Sequence, residues 1–488
     1  MFQILSWLIF APLVGALIIC FVSKERTGLM RAVALVATGF VLALSLCLIA
    51  RFDFQAVGLQ FVERIPWIPQ INIWYSLGVD GLSVNLVFLT ALLGFLACLA
   101  SNTIVHRQKE YYLLYLLLMV GMMGTFLAMD LFLFYVFWEI VLIPMYFLIG
   151  IWGGSRRHYA AIKFFLFTLT GSVLMLVGIL VAFFSVVPHT FDMMELMRAA
   201  PAFDFHLQVL LFLAFFLAFA VKVPIFPFHT WLPDAHVEAP TPVSVILAGV
   251  LLKMGTYGLV RICWPMFPQA VHYFAFALAV LGAINIVYGA CVAMAQNDFK
   301  SMVAYSSVSH MGFVILGLAS MNATGINGAI LEMFNHGIIT GAMFLLVGVL
   351  YTRAHTRELN QFGGLSGQMP VYAFFLTLCT LASLGLPGLS GFVGEFMALV
   401  GAFNVYVNVT AISTIGLVIG AGYFLYMIHR VLLGPVNPQK PKYADMNLTE
   451  IWTLVPLAIL IVVIGFYPDV ILKFQNVFVS GLVPILAR

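Results

Sequence analysis

Charge is what this 488-residue chain has least of: Asp, Glu, Lys and Arg make up 8% of it, against 63% hydrophobic residues. A soluble chain carries about 25% charge. The length would otherwise suggest roughly three soluble domains, but twenty-two cations and nineteen anions cannot clothe three. With a mean hydropathy of +1.09, the composition is that of an integral membrane protein. The net charge of +3 is too small to argue for nucleic acid. The six cysteines (Cys20, Cys47, Cys98, Cys263, Cys291, Cys379) are scattered through apolar runs with no CxxC among them. Iron–sulfur clusters and structural zinc therefore lack their usual ligands. No P-loop and no GxGxxG fingerprint occurs either, so the chain is expected to hold no redox centre and no nucleotide. The N-terminal apolar run lacks a basic flank and an A-x-A site, and reads as a first helix instead of a cleaved signal.

What is present is a series of apolar runs of about twenty residues, the length that spans a bilayer as a helix and twice that of a barrel strand. Fourteen are expected, at 2–22, 29–50, 79–100, 111–128, 131–150, 160–187, 206–227, 243–263, 271–294, 302–319, 326–351, 371–400, 406–432 and 452–472; they are numbered as spans 1 to 14. Loops after odd-numbered spans hold thirteen cations: Lys24, Arg26, Arg31, Arg107, Lys109, Arg156, Arg157, Lys300, Arg353, Arg357, Arg430, Lys440 and Lys442. Loops after even-numbered spans and the tails hold six: Arg51, Arg64, Arg198, Arg261, Lys473 and Arg488. By the positive-inside rule the odd loops face the cytoplasm and both termini the opposite side. The stretches 51–78, 188–205, 352–370 and 433–450 are loop-sized, which leaves function to the membrane.

Ionisable residues inside a span are costly and mark either a pathway or a structural pair. Glu139 lies in span 5, Lys222 at the end of span 7, Lys253 in the middle of span 8, His310 in span 10 and Glu395 deep in span 12. Glu332 and His336 stand four apart on span 11 and share a face. One reading is a proton relay: a buried Lys loses its preference for the charged form, a nearby carboxylate restores it, and His titrates near neutrality between them. The other is that Glu139–Lys222 is an internal salt bridge fixing helix packing; seven such groups on six helices favour the relay. Lys163 sits in the first turns of span 6, where a Lys can reach the interface. His229 and His236 flank HTWLPDAH, and spacing alone does not assign them. Asp80 and Asp130 open helices and suit the positive end of the helix dipole.

Two segments are broken. Span 7 runs into VKVPIFPFHTWLPDAHVEAPTP with Pro224 and Pro227, and span 12 contains SLGLPGLSGFVGEF with Pro387 and Gly388. Unwound backbone in a membrane is tolerated where it lines protein or a water cavity, and matched interruptions point to inverted repeats. Spans 7 and 12 differ by five, so five-helix units over spans 4–8 and 9–13 would be inverted relative to each other. The expected divisions are 1–110, 111–263, 264–432 and 433–488, holding spans 1–3, the first repeat, the second repeat, and a loop with span 14.

The stretch HTWLPDAHVEAPTPVSVILAGVLLKMGTYGLVR resembles the signature of the antiporter-like membrane subunits of respiratory complex I. So do FWEIVLIPMY around Glu139, SMVAYSSVSHMG around His310, FNHGIITGAMFL around His336 and LPGLSGFVGEF around Glu395. The resemblance covers nearly the whole chain. It implies an all-α polytopic fold of about fourteen transmembrane helices with two inverted five-helix repeats, helices 7 and 12 broken. It also implies proton translocation coupled to quinone reduction elsewhere in the complex. Glu139 and Lys222 would match the family's span 5–span 7 pair, Lys253 its central lysine, His310 and His336 its hydrated axis, and Glu395 its terminal group; Glu332, Lys163, His229 and His236 are secondary candidates. Glu395 stands where L- and N-type subunits typically carry a Lys, and no long lateral helix like that of the L type follows span 14. FMN, iron–sulfur clusters, NADH and a quinone (ubiquinone or another) would be used by other subunits, with no cofactor or metal here. The partners implied are other membrane subunits, with L- and N-type subunits on either side, the lipid bilayer and protons, in the bacterial inner membrane. A stand-alone cation/proton antiporter subunit and an assembly scaffold are the rival readings.

Overall fold

A computed structural model describes residues 3–436 and 441–487; Lys440 and Arg488 of the cation count lie outside the described residues. The chain is a bundle of apolar helices. Spans 1 to 11 are Ile4–Phe21, Thr27–Ala50, Ser83–Thr103, Gln108–Leu127, Leu131–Trp152, Arg157–Phe184, Phe205–Lys222, Thr241–Met266, Pro268–Met294, Phe299–Ala319 and Ala323–Ala354. Span 12 is two half-helices, Pro370–Ser383 and Ser390–Phe403, and spans 13 and 14 are Val407–Val431 and Leu448–Phe466. Most helix boundaries fall within a few residues of the apolar runs, because burying a backbone in lipid requires every N–H and C=O to be satisfied within the segment.

Two elements depart from the sequence expectation. The run 452–472 does not end the fold: a further apolar helix, Asp469–Leu486, follows span 14 after a break at Tyr467 and Pro468. Stretch 51–78, expected as a loop, contains an antiparallel hairpin of β1 (Gln60–Ile68) and β2 (Ile73–Val79), pairing Ile65 with Tyr75 and Glu63 with Leu77. Its turn needs Asn72 at φ +55, a left-handed conformation that Asn tolerates better than most residues. The hairpin ties two helix starts together. The Glu63 carboxylate accepts from Leu5 N at 2.8 Å and Ser6 N at 3.1 Å at the start of span 1. At the start of span 5, Asp130 accepts from Phe132 N, Leu133 N and Trp74 N of β2. These are the orphan donors and positive dipole end that carboxylates satisfy. Burial nonetheless pushes the Asp130 carboxyl up to about 6.

Spans 8 and 11 are wholly enclosed by other helices, while spans 13 and 14 are largely bare on their outer faces. Whatever the fold shields from lipid therefore lies along spans 8 and 11. Both broken spans pack beside this axis: the second half of span 12 lies on span 11, and span 7 lies on the lower half of span 8.

A candidate proton path through the bundle

Span 7 stops at Lys222 and the chain resumes as a helix only at Trp231–Glu238; Pro224 and Pro227 lie in the turn between. Two freed backbone groups of that turn are taken up by one amide. Asn285 of span 9 is fully buried, its Oδ1 accepts from Phe226 N at 2.8 Å, and its Nδ2 donates to Pro224 O at 3.1 Å. Pro387 and Gly388 lie in the turn between Ser383 and Ser390, where Gly385 and Gly388 have φ of +77 and +90, which glycine adopts without strain. There Asn335 of span 11 donates to Ser390 O at 2.7 Å. A buried carboxamide thus supports each break. Neither Asn carries a charge, so the cost of an ionisable group in a span does not mark it in the sequence.

Lys222 is 1% exposed. It makes no salt bridge with Glu139. Its ammonium instead lies 5.3 Å from the Trp138 ring centroid and 5.6 Å from that of Phe164, within the range of cation–π attraction. Glu139 Oε1 is buried and also has no hydrogen-bond partner. The internal salt bridge weighed as the structural alternative is therefore open in this arrangement. The Lys222 side chain packs against Gly255, where an added Cβ would stand 3.0 Å from Lys222 Cβ, two residues from Lys253.

Lys253 is fully buried, and its Nζ donates to Ala248 O at 2.7 Å and to His336 Nδ1 at 2.5 Å. The carbonyl is available because span 8 widens to a π-helix over Leu247–Leu251; such bulges are common at functional sites. An ammonium only donates, so Nδ1 of His336 is the acceptor, and Nε2 is left buried and without a partner. The His336 and His310 rings are 5.6 Å apart between centroids, and His310 Nδ1 donates to Glu395 Oε1 at 2.7 Å. Glu332 turns its Oε2, likewise without a partner, to the same place. These four groups line a narrow cleft with Ser306 and Thr340, with room for roughly one water. Lys253, His336, His310 and Glu395 thus run in line from span 8 across span 11 to spans 10 and 12.

The secondary candidates are distributed around this line. His236 is fully buried, stacked 4.6 Å from the Phe344 ring, and has no partner on either nitrogen. His229 packs 5.2 Å from Tyr288 with Nδ1 unpaired. Lys163 is not a free interfacial cation. Its Nζ holds Asp234 Oδ2 at 2.7 Å, and Arg156 lies 3.3 Å from Oδ1 of the same carboxylate. It therefore anchors the half-helix Trp231–Glu238 to span 6.

Two charged groups read from sequence as loop residues are buried. Lys300 is 4% exposed, and its ammonium donates to Ala239 O just past that half-helix. Arg261 is 2% exposed and donates to Asp80 through both terminal nitrogens, at 2.7 and 2.5 Å, and to Tyr257 Oη at 3.1 Å. Asp80 also accepts from Leu82 N and Ser83 N at the start of span 3, as its position before the helix led one to expect.

The NADH:quinone oxidoreductase/Mrp antiporter transmembrane family matches residues 128–420. The chain belongs to that family. A protein of Rhodobacter capsulatus described as NADH-quinone oxidoreductase subunit M is 44% identical, covering 99% of this chain and 96% of that one. The counterpart of the same description in Rickettsia bellii is 40% identical, over 98% of each. NADH-ubiquinone oxidoreductase chain 4 of Marchantia polymorpha is 42% identical, over 98% and 97%. Among solved structures, a chain of respiratory complex I from Thermus thermophilus with bound NADH superposes with a TM-score of 0.90 at 30% identity, covering 99% of both. A chain of the Mrp complex from a Dietzia species shares the fold, with a TM-score of 0.88 at 20% identity. The fourteen spans expected from composition are all present in the fold, the twelfth as two half-helices, and Asp469–Leu486 is a further apolar helix.

Proposed function

We propose that this chain is a proton-translocating membrane-arm subunit of an NADH:quinone oxidoreductase. It moves protons through a Glu/Lys/His/water relay coupled to quinone reduction in other subunits. The observation that carries this reading is the line Lys253–His336–His310–Glu395 along the enclosed axis. Four titratable groups in succession, the first two on the spans most shielded from lipid and the last two on spans 10 and 12, are poorly explained as packing devices. In the mechanism, Glu139 biases the charge of Lys222, and Lys222 exchanges protons with Lys253 through water past His229. The proton then passes from Lys253 to His336, and by His310 to Glu395, which delivers it to the far side.

Lys222 and Glu139 make no direct ion pair, which supports a cycle in which opening the pair accompanies proton release. Closing the pair would reload it. Moving one charge against 100 mV costs about 2.3 kcal/mol, within the several kcal/mol that separating a buried pair involves. FMN, iron–sulfur clusters, NADH and the quinone belong in this reading to other subunits. L- and N-type subunits flank the chain in the bacterial inner membrane, with both termini on the periplasmic face. Spans 4–8 and 9–13 form the inverted repeats, within the divisions 1–110, 111–263, 264–432 and 433–488.

Glu139→Ala tests the switching step. In assembled complex, confirmed on a native gel, proton uptake into inverted vesicles is expected to fall at least several-fold together with NADH:quinone turnover. Wild-type pumping by the assembled variant would remove Glu139 from the mechanism.

A further inference from the structure

We propose that His310, Glu332 and Glu395 form a binding site for a transition-metal dication of the Zn²⁺ class. Its occupancy blocks the proton path at its far end; the site itself stands on geometry, and the blocking effect rests on the path proposed above. One ligand atom from each residue lies within 4.8 Å of the other two. An ion of this class in tetrahedral coordination, with nitrogen and oxygen ligands about 2.1 Å away, sets them roughly 3.4 Å apart. His310 Nδ1 and Glu395 Oε1 are already closer than that, at 2.7 Å. Closing the site therefore asks for a small opening there and an inward turn of Glu332.

Glu332 is placed to make that turn. It is 1% exposed, and its Oε2 faces the cleft without a partner. The space it occupies exists because residue 394 is a glycine: an added Cβ would lie 2.6 Å from Glu332 Oε2. Glu395 in turn lies against Gly385, where a Cβ would be 3.1 Å from its Oε2. Two carboxylates balance a dication, and one imidazole with two carboxylate oxygens suits zinc better than a hard cation, which takes oxygen alone. The Lys253 ammonium is directed to His336 and Ala248 O, not to these carboxylates. The cleft has room for roughly one small ion or water, which would leave water as the fourth ligand. His310, with 12% of its side chain exposed, provides the outward edge. On binding, the proton that His310 Nδ1 donates to Glu395 is released to solvent, His310 coordinates through Nδ1 as a neutral imidazole with Nε2 protonated from solvent where it is not already so, and any proton on Glu332 is released as well.

The test uses the purified assembled complex, loaded with Zn²⁺ and desalted. Bound zinc is counted by mass spectrometry, and Zn K-edge X-ray absorption is recorded on the added metal. Wild type is expected to retain one Zn²⁺ more than Glu332→Gln. That ion should have a first shell of one nitrogen and oxygens without sulfur, and turnover should fall in proportion to its occupancy. Equal retention by the two proteins, or a shell without imidazole, overturns the site. The absorption measurement on wild type decides this even if the variant fails to assemble. Retention of the extra ion with turnover and pumping unchanged leaves the site standing and overturns the path through it. Absence of the ion while Lys253→Ala abolishes pumping overturns the site alone.

Discussion

Lys253→Ala is expected to lower NADH-driven proton pumping at least tenfold in complex that still assembles. In the proposed relay Lys253 links the two halves of the chain: Lys222 packs against its helix on one side, and His336 accepts from its ammonium at 2.5 Å on the other. Truncation leaves His336 with no partner on either nitrogen, since Nε2 already has none, and breaks the only contact by which a proton leaves span 8 for span 11 in the line described. A tenfold change corresponds to about 1.4 kcal/mol in a barrier, less than the cost of a single lost charge-assisted bond in a buried site. Lys253→Arg should not rescue it, because a guanidinium keeps its proton throughout the physiological range. Paired measurement of turnover and vesicle acidification on both variants checks this. Pumping by Lys253→Arg near the wild-type level would show that a fixed charge suffices there.

Arg261→Ala is expected to destabilise the chain by about 3–5 kcal/mol, because it leaves the Asp80 carboxylate buried without its partner. That is a large fraction of a typical folding free energy, so the variant should be scarce in the assembled complex on a native gel. Asp80 is buried and receives two donors of Arg261, while the Arg261 Nε donates to Tyr257 Oη. The pair joins the start of span 3 to the end of span 8 and stands apart from the proton line, so the loss is one of stability. Replacing both groups together, as Asp80→Leu with Arg261→Met, should recover most of the assembly, since paired apolar substitution is often close to neutral. An Arg261→Ala chain that assembles as well as wild type would refute the structural role.

Much of the fold could be read in the sequence, for a simple reason. A lipid-spanning helix must be apolar over about twenty residues and must satisfy its own backbone, and both requirements act locally. The breaks at 223–230 and 384–389 were legible because Pro and Gly are themselves the cause of the interruption. The β1–β2 hairpin was not, because its register depends on contacts with spans 1 and 5 more than on a strict alternation in QFVERIPWI. Helix Asp469–Leu486 was hidden because Lys473 and Gln475 interrupt its apolar run.

The same division holds at the site. That Lys222, Lys253, His310, His336 and Glu395 are buried ionisable groups follows from the apolar residues around them. Which of them touch does not, since Lys253 and His336 are 83 positions apart and His310 and Glu395 are 85 apart. Lys300 and Arg261 read as loop cations in the sequence because each sits at the end of an apolar run. Only the chain folded around them reveals their burial. Asn285 does carry a signal in the sequence: it is a lone Asn in the apolar run ALAVLGAINIVYG.

The most direct measurement of the central claim, that the buried charges are a working relay and not packing devices, is made on Lys222→Ala. Assembly is confirmed on a native gel, and NADH:quinone turnover and proton uptake into inverted vesicles are then recorded together. Lys222 holds no salt bridge or hydrogen bond here, so its truncation strands no polar partner, and the native gel separates the loss of its buried packing beside Trp138 and Phe164 from the loss of its chemistry. The account predicts normal assembly with sharply reduced pumping and turnover. Normal assembly with full turnover and full pumping would contradict it and reduce the intramembrane charges to a scaffold.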